Sequence, residues 1–185
     1  LSLYNDLSVS VIKTKPEGRL PVLTKVVDAF RRGEFYLWLK EKIKTGDKVY
    51  IILPLIEDSE YFPELRSIES EASYFKQIFK SLPMGIISGK TPAHIKEKLL
   101  RNFEKGDVRV LISTTVIEVG IDVKDATIMV IENADRYGLS QLHQLRGRVG
   151  RGDSLSFCYL FPSSNITENG KKRLEKITKT SDGFK

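Results

Sequence analysis

Two arginines and a glutamine near residue 148 have the types and the spacing of a phosphate-binding face. Gln144, Arg148 and Arg151 stand at i, i+4 and i+7, which places them on one side of a helix. Arginine forks match the oxygens of a polyphosphate, and an arginine finger neutralises the charge that develops on a transferred phosphoryl group. The segment therefore predicts contact with a nucleotide. The structural alternative is a solvated basic helix end, where arginine also interacts favourably with the helix dipole.

The opposite side of the same segment is apolar. Leu142, Leu145 and Val149 stand at i, i+3 and i+7, so this side should pack on a core. Gly147 and Gly150 each cost about 1 kcal/mol relative to alanine inside a helix, which suggests that a ligand approaches the backbone closely here.

A second group of polar residues follows the apolar run 108–113. Thr114 and the threonine after it stand directly beyond a predicted strand, where hydroxyls and free backbone amides can donate to a phosphate. Gly120 lets the chain turn, and Asp122 can accept a hydrogen bond from a ribose hydroxyl. The alternative is an ordinary helix start that Thr114 caps, followed by a turn.

The run 85–91 imitates a Walker A phosphate loop but lacks its spacing. Only three residues separate Gly85 from Gly89, where that loop requires four, so the run should not wrap the phosphates of a nucleoside triphosphate. This excludes a nucleotide kinase built on Gly89, Lys90 and Thr91. What remains is a strand-to-helix turn whose amides and Lys90 can touch a nucleic-acid backbone, or a simple helix start with Thr91 as its cap and Pro92 as its first residue.

Composition limits the classes of function. The 185 residues can bury one full core, and the net charge of +6 suits contact with nucleic-acid phosphates without requiring it. The single cysteine, Cys158, excludes an internal disulfide and lies in an apolar run, which indicates a buried strand thiol in a cytoplasmic protein. His94 and His143 lack metal-ligand spacing, so no metal site is predicted. No apolar run reaches the about 20 residues of a membrane span, and no signal peptide is visible, so no membrane partner is expected.

Apolar runs alternate with amphipathic segments along the chain. The runs predict strands at 20–27, 48–56, 84–87, 108–113, 127–132 and 156–161, and the amphipathic segments predict helices at 28–44, 68–81, 92–105, around 144 and at 168–178. The first helix should bury Phe35, Trp38, Leu39 and Ile43. This alternation predicts an α/β fold with a mainly parallel sheet covered by helices on both faces. Ligands of such sheets bind beyond the carboxyl ends of the strands, which points to the loops after Ile87, Ile112 and Ile131.

Three segments, in this order, resemble the second motor lobe of superfamily-two helicases. They read SGK at 88–90, STTVIEVGIDV at 113–123 and ENADRYGLSQLHQLRGRVGRG at 132–152. Within the superfamily the chain is most similar to RecG-like DNA translocases, through 18–22, 117–120 and 181–184, and next to transcription-repair coupling factors. The resemblance spans essentially the whole chain and implies a RecA-like lobe at 21–165. Residues 1–20 would be a connector or the end of a first lobe, and 166–185 a C-terminal helix that leads to a further segment.

The same resemblance implies roles for particular residues. Arg148 and Arg151 would be the catalytic arginine fingers, and Gln144 would lie at the nucleotide. Gly120 and Asp122 would face the ribose of ATP. Thr114, together with Gly89 and Lys90, would contact nucleic-acid phosphates. Two positions depart from the family pattern: Ser88 replaces a usual histidine, and Ala134 replaces a frequent proline.

An activity follows from the resemblance as an expectation. RecG-like proteins use ATP and magnesium to remodel branched double-stranded DNA at stalled forks and Holliday junctions, in recombination and repair. These 185 residues carry neither a Walker A motif nor an Asp-Glu magnesium motif. The first motor lobe of a longer protein, which would also have a wedge domain, should therefore hold most of the nucleotide and the magnesium, and the chain alone should be inactive. The alternative is a non-enzymatic nucleic-acid-binding module, which would not need Arg148, Arg151 and Asp122 together.

Overall fold

One six-stranded parallel sheet organises the chain. The computed structural model describes residues 21–54, 68–113, 126–149 and 155–180. The strands are β1 (Val22–Val26), β2 (Val49–Ile52), β3 (Met84–Ile87), β4 (Val110–Ser113), β5 (Ile128–Ile131) and β6 (Ser156–Leu160). They lie in the order β1-β6-β5-β2-β4-β3, and every neighbouring pair is parallel. The predicted α/β fold with a parallel sheet is confirmed.

The described residues form five α-helices, of which four lie between strands and the fifth follows β6. They are α1 (Arg32–Lys44), α2 (Ile68–Ile78), α3 (Ala93–Lys105), α4 (Leu139–Arg146) and α5 (Glu168–Lys179), with short 3-10 helices at Ala29–Arg31 and Ala134–Arg136. The predicted elements are all present in the described ranges. β3 has the predicted bounds, and the other five strands are shorter than their apolar runs at one end or at both. The connector predicted at 1–20 lies outside the described residues.

The start of α3 differs from the prediction. Pro92, with an extended backbone (φ −59°, ψ 147°), is the N-cap, and the helix begins at Ala93. Thr91 does not cap it; its hydroxyl instead accepts from the backbone N–H of Ser88 at 2.9 Å. The threonine thus closes the turn before the helix. The predicted end is confirmed, since Gly106 caps α3 with a positive φ of 86°, a conformation that glycine adopts without strain.

Successive strand residues alternate between two cores, one on each side of the sheet. We call the side under α1 and α2 the aromatic face, because Phe35, Tyr36, Trp38, Phe75 and Phe79 pack there. The predicted stripe of α1 is confirmed, since all four of its residues are buried on this face. We call the side under α3, α4 and α5 the aliphatic face; among others, Leu142, Leu145, Leu174 and Ile177 pack there.

The six strands end in register at one edge of the sheet. Ile87 pairs with Ser113, Ser113 with Ile52, and Ile52 with Ile131. Ile131 pairs with Leu160, which pairs with Val26. The loops that follow these strands therefore emerge side by side along this carboxyl edge, the position at which sheets of this kind bind ligands.

Candidate nucleotide and nucleic-acid site

The segment that carries Gln144 and Arg148 is held to the aliphatic face by its apolar side. Leu142 is 1% exposed, Leu145 6% and Val149 0%, so the predicted packing side is confirmed. At the start of α4, the Gln141 side chain accepts from the backbone N–H of Gly138 at 2.9 Å and satisfies one donor of the first turn.

The regular helix stops earlier than the spacing predicts. α4 ends at Arg146, and the backbone N–H groups of Arg148 and Val149 donate to residues three positions back, at 3.0 and 3.4 Å. Such bonds tighten the chain to about three residues per turn. The prediction that Gln144 and Arg148 lie on the same regular α-helix is therefore wrong for Arg148, which lies beyond the end of α4. Gly147, a poor helix former, stands at the point where the geometry changes.

Both polar residues of this segment remain available to a ligand. Gln144 is exposed and Arg148 is half-buried. Within the described residues, neither side chain has a hydrogen-bond or ion-pair partner. Arg151, predicted to act beside them, lies outside the described residues, as does Gly150. The Arg148 guanidinium is therefore available to bind a phosphate.

Gly147 is not required by the lobe's own geometry. Its backbone lies in the right-handed helical region (φ −67°, ψ −8°), which any residue adopts. A Cβ placed there would lie 3.4 Å from the His143 carbonyl oxygen, an ordinary contact. Gly147 is half-buried and lies directly before Arg148, and the expectation that a ligand approaches its backbone stays a prediction.

The turn after β3 is closed by its own side chains. The Ser88 N–H donates to the Thr91 hydroxyl, and the Lys90 N–H donates to the Ser88 hydroxyl at 3.3 Å. These two amides are therefore not free to cradle a triphosphate, which agrees with rejecting a Walker A loop. Gly89 and Lys90 are exposed, so the Lys90 ammonium can still reach an external phosphate.

This turn lies at the same edge as the predicted Thr114 contact. Ile87, the residue before Ser88, pairs in register with Ser113, the residue before Thr114. Thr114 itself, with Gly120 and Asp122, lies outside the described residues. The sheet register sets the end of β3 beside the end of β4, whereas Gln144 on α4 and Arg148 just beyond it lie over the aliphatic face.

A buried ionic network that the sequence did not reveal occupies the same edge near β5. Glu132 accepts from Arg32 Nε at 2.7 Å and from the Tyr36 hydroxyl at 2.6 Å, and Glu71 accepts from Arg32 Nη2 at 2.7 Å. Burial disfavours the Arg32 charge, but Glu132, Tyr36 and Glu71 outweigh it, and the pKa of Arg32 is raised. Burial and the Glu132 charge raise the pKa of Tyr36 well above its ordinary value. The partners lie 39 to 100 positions apart, so no local spacing could indicate them.

This network lines a cavity between the ends of β2, β5 and β6. Arg32, Glu71, Glu132 and Asn133 form its polar side. Asn133 has a positive φ of 49°, which asparagine tolerates better than most residues. Arg32 is ion-paired with two carboxylates, which leaves the wall with an excess of negative charge that would repel a polyphosphate, so we assign the network to stability rather than to the nucleotide.

Comparison with known proteins places the chain in a family. Residues 24–153 match the family described as the helicase conserved C-terminal domain. The chain belongs to that family. It is 46% identical to the ATP-dependent DNA helicase RecG of Aquifex aeolicus over 189 residues, covering 100% of the chain and 24% of that protein. It is 42% identical to the chloroplastic/mitochondrial ATP-dependent DNA helicase homolog of Arabidopsis thaliana over 186 residues, covering 100% of the chain and 19% of that protein.

Solved structures agree on the fold. RecG bound to a three-way DNA junction superposes with a TM-score of 0.73 at 38% identity, covering 98% of the chain and 23% of that protein. The C-terminal domain of the DEAD-box protein Dbp5 superposes with a TM-score of 0.57 at 15% identity, over 87% of the chain and 86% of that domain. The predicted RecA-like lobe and the resemblance to RecG are thereby confirmed. The chain spans about a fifth to a quarter of the curated relatives named above.

Two further observations concern the described ranges alone. None of their helices is both long enough and apolar enough to cross a membrane. They also contain no group of three or more histidine, cysteine or acidic side chains placed to hold a metal ion.

Proposed function

We propose that the chain is the second motor lobe of an ATP-dependent translocase or helicase that remodels branched double-stranded DNA in recombination and repair. The observation on which the proposal depends is Arg148, a half-buried arginine whose side chain has no hydrogen-bond or ion-pair partner among the described residues. It stands in a chain of the helicase C-terminal family whose relatives include DNA helicases of the RecG type.

In this proposal Arg148 and Arg151 act on the transition state. Their guanidiniums enter the cleft between two lobes and neutralise the charge that develops on the γ-phosphoryl group of ATP. Gln144, exposed one turn before Arg148, contacts the nucleotide. Gly120 and Asp122 lie on its ribose side. An interaction made mainly in the transition state raises kcat more than it tightens ATP binding.

The carboxyl edge binds DNA in the same proposal. Thr114 and the exposed Gly89-Lys90 turn contact phosphates, and the sheet register that sets Ile87 beside Ser113 supports their acting together. Phosphate contacts position a protein on DNA without reading its sequence. Binding should therefore depend on salt and on DNA shape, and the net charge of +6 agrees with such a partner.

The remaining parts of the motor belong to other segments of a longer protein. The described residues have no cluster of magnesium ligands, and the Ser88–Thr91 turn uses its own amides. We therefore assign the triphosphate cradle and the magnesium to a first motor lobe, and separation of the DNA strands to a wedge domain. DNA as the partner, together with the single buried thiol, agrees with a location in the cytoplasm.

The full-length protein tests this function. We expect its ATPase to be stimulated by duplex DNA, and a three-way junction to be unwound faster than a linear duplex of equal length. The 185-residue chain alone should hydrolyse no ATP, because its motifs supply one side of the site. A full-length protein that binds DNA without DNA-stimulated hydrolysis would support the non-enzymatic alternative, and hydrolysis by the chain alone, lost in Lys90→Ala, would support an autonomous kinase.

A further inference from the structure

Arg146 is the largest fully buried side chain in the described part of the protein, with 1% exposure. Its Nη1 donates to the carbonyl oxygens of Ile177 and Thr180, at 2.8 and 2.7 Å, and lies 3.3 Å from the Thr24 hydroxyl. Its Nη2 lies 3.0 Å from Nδ1 of His143, which must accept because a guanidinium has no acceptor. Three of these contacts go to oxygen atoms of neutral groups, and two of those oxygens are backbone carbonyls.

The two carbonyls that Arg146 contacts lie at the C-terminal end of α5. Ile177 lies in the last turn of α5, and Thr180 is the C-cap of that helix. Carbonyls at a helix C-terminus lack intrahelical partners and carry the negative end of the helix dipole. Arg146 thus caps α5 from another helix, and the Thr24 contact ties both helices to β1. We call these four contacts the Arg146 clamp.

The clamp stands immediately before the candidate catalytic arginine. Arg146 is the last residue of α4, and Gly147 after it gives the backbone little conformational preference of its own. Val149, on the other side of Arg148, is fully buried on the aliphatic face. The half-buried Arg148 therefore lies between two buried residues, Arg146 and Val149. Val149 is held by apolar packing, whereas Arg146 is a charged group held by hydrogen bonds.

We propose that Arg146 is a positioning residue, which acts through this clamp to hold Arg148 in place for the nucleotide. The proposal rests on the function proposed above for Arg148. An apolar anchor tolerates sliding, whereas a planar guanidinium between diverging acceptors fixes both distance and orientation. The clamp also makes the position of Arg148 depend on the end of α5, so the two should move together.

Substitution of Arg146 in the full-length protein tests this role through DNA-stimulated ATPase. We expect Arg146→Met to lower kcat by about 10²-fold, the effect of displacing a catalytic group by about 1 Å, with KM and the affinity for a fluorescent ATP analogue little changed. Arg146→Lys should recover only part of the loss, because an ammonium cannot reach the four acceptors at once. If Arg146→Met does not fold, Arg146→Lys carries the comparison.

Leu174→Ala is the matched control for stability. Leu174 is buried in the same helix α5, and its side chain makes no contact in the clamp. We expect it to lower Tm as Arg146→Met does, while kcat measured well below Tm stays near that of the wild type. An Arg146→Met kcat equal to that of Leu174→Ala would overturn the positioning role alone.

A double-mutant cycle tests whether Arg146 acts through Arg148. The double variant Arg146→Met with Arg148→Ala should have the kcat of Arg148→Ala, because the residue being positioned is already gone. Losses that multiply would mean that Arg146 acts by another route and would contradict the proposal. A wild-type protein without DNA-stimulated ATPase would instead overturn the proposed function, and this role with it.

Discussion

The two faces of the sheet bury their charges in different ways. On the aromatic face, Arg32 meets the carboxylates of Glu71 and Glu132, and its guanidinium lies 4.5 Å from the centre of the Tyr74 ring. On the aliphatic face, Arg146 meets the backbone carbonyls of α5. Moreover, only the aliphatic face carries the segment that presents Gln144 and Arg148 to solvent. The Arg32 ion pairs of the aromatic face join largely buried side chains to one another, while the segment on the aliphatic face leaves Gln144 exposed and Arg148 half-buried.

The aromatic face has a structural role in this comparison, and the segment at the end of α4 has a proposed catalytic role. The centres of four aromatic rings lie 5.0 to 5.6 Å from the centre of the Phe35 ring, three of them in edge-to-face contact and one tilted. These contacts hold α1 against β6. The aliphatic face depends on aliphatic side chains and on hydrogen bonds between helix ends. We therefore expect substitutions on the aromatic face to change stability, and substitutions near the end of α4 to change turnover.

The largest loss of stability should come from Phe35→Ala. Phe35 is 0% exposed, and removal of a buried ring of this kind costs about 3–5 kcal/mol. Leu37 on the same helix is 60% exposed, so Leu37→Ala should change the free energy of unfolding by no more than about 0.5 kcal/mol. Urea unfolding of the 185-residue chain measures both, and equal effects would mean that the ring cluster does not support the lobe.

Removal of the Glu132 charge should have the next largest effect. Glu132→Gln keeps the shape but weakens the bonds from Arg32 and Tyr36, at a cost of about 1.5–3 kcal/mol in unfolding free energy. The kcat of the folded full-length protein should be unchanged, because the hydrogen bonds described above for the network include neither Gln144 nor Arg148. A large loss of kcat in Glu132→Gln without a loss of stability would mean that this network acts in catalysis, and it would contradict the structural role given to the aromatic face.

Two glycines should respond in opposite directions. A Cβ at Gly85 would lie 2.8 Å from Leu99 Cδ2, so Gly85→Ala forces the half-buried Leu99 to shift and should destabilise the lobe by about 1 kcal/mol. An added Cβ at Gly33 in α1 would meet no atom within 4 Å, so Gly33→Ala should stabilise the lobe by about 0.5–1 kcal/mol. Thermal unfolding of both variants checks the two signs, and a destabilising Gly33→Ala would contradict the packing described for α1.

The last expected effect is a pH dependence from Cys158, which is absent at neutral pH and appears only in alkaline solution. Burial raises the pKa of this thiol from 9.0 to about 12. The folded state therefore binds the proton more tightly, so its contribution is fully present below pH 9 and is lost as the pH rises towards 12. Cys158→Ala should flatten the fall in urea midpoint over this range. A parallel fall in the variant and the wild type would assign the alkaline loss to other groups, such as Tyr137, whose pKa burial raises to about 12.

Local pattern was enough to predict the fold. Alternation of apolar runs with amphipathic helices predicted the parallel sheet, and the stripe of Phe35, Trp38, Leu39 and Ile43 predicted the buried side of α1. The pattern also predicted correctly that Leu142 and Val149 are buried. These features depend on neighbours within one or two turns, which a sequence displays directly.

Contacts between distant segments were not predictable in the same way. Arg146 lies beside the arginines that the motif emphasises, yet its partners Thr24 and Ile177 are 122 and 31 positions away. The Arg32 network has the same character. Helical spacing also placed Arg148 on a continuous α-helix, because periodicity does not reveal where Gly147 ends one. The only signal in the sequence was that Arg146 directly follows Leu145, a residue of the predicted apolar side. The pattern did not distinguish the buried side chain of Arg146 from the more exposed side chains of Gln144 and Arg148.

The proposed role of Arg148 and Arg151 in the transition state of ATP hydrolysis can be measured by substituting each arginine. In the full-length protein with saturating junction DNA, kcat and ATP affinity are compared for wild type, Arg148→Ala, Arg151→Ala and Arg101→Ala, the last an exposed arginine on α3 as control. We predict that each of the first two substitutions lowers kcat by about 10³-fold with little change in affinity, while Arg101→Ala does neither. Wild-type kcat in Arg148→Ala and Arg151→Ala would contradict the account, because both would then be surface charges of a lobe that does not reach the nucleotide.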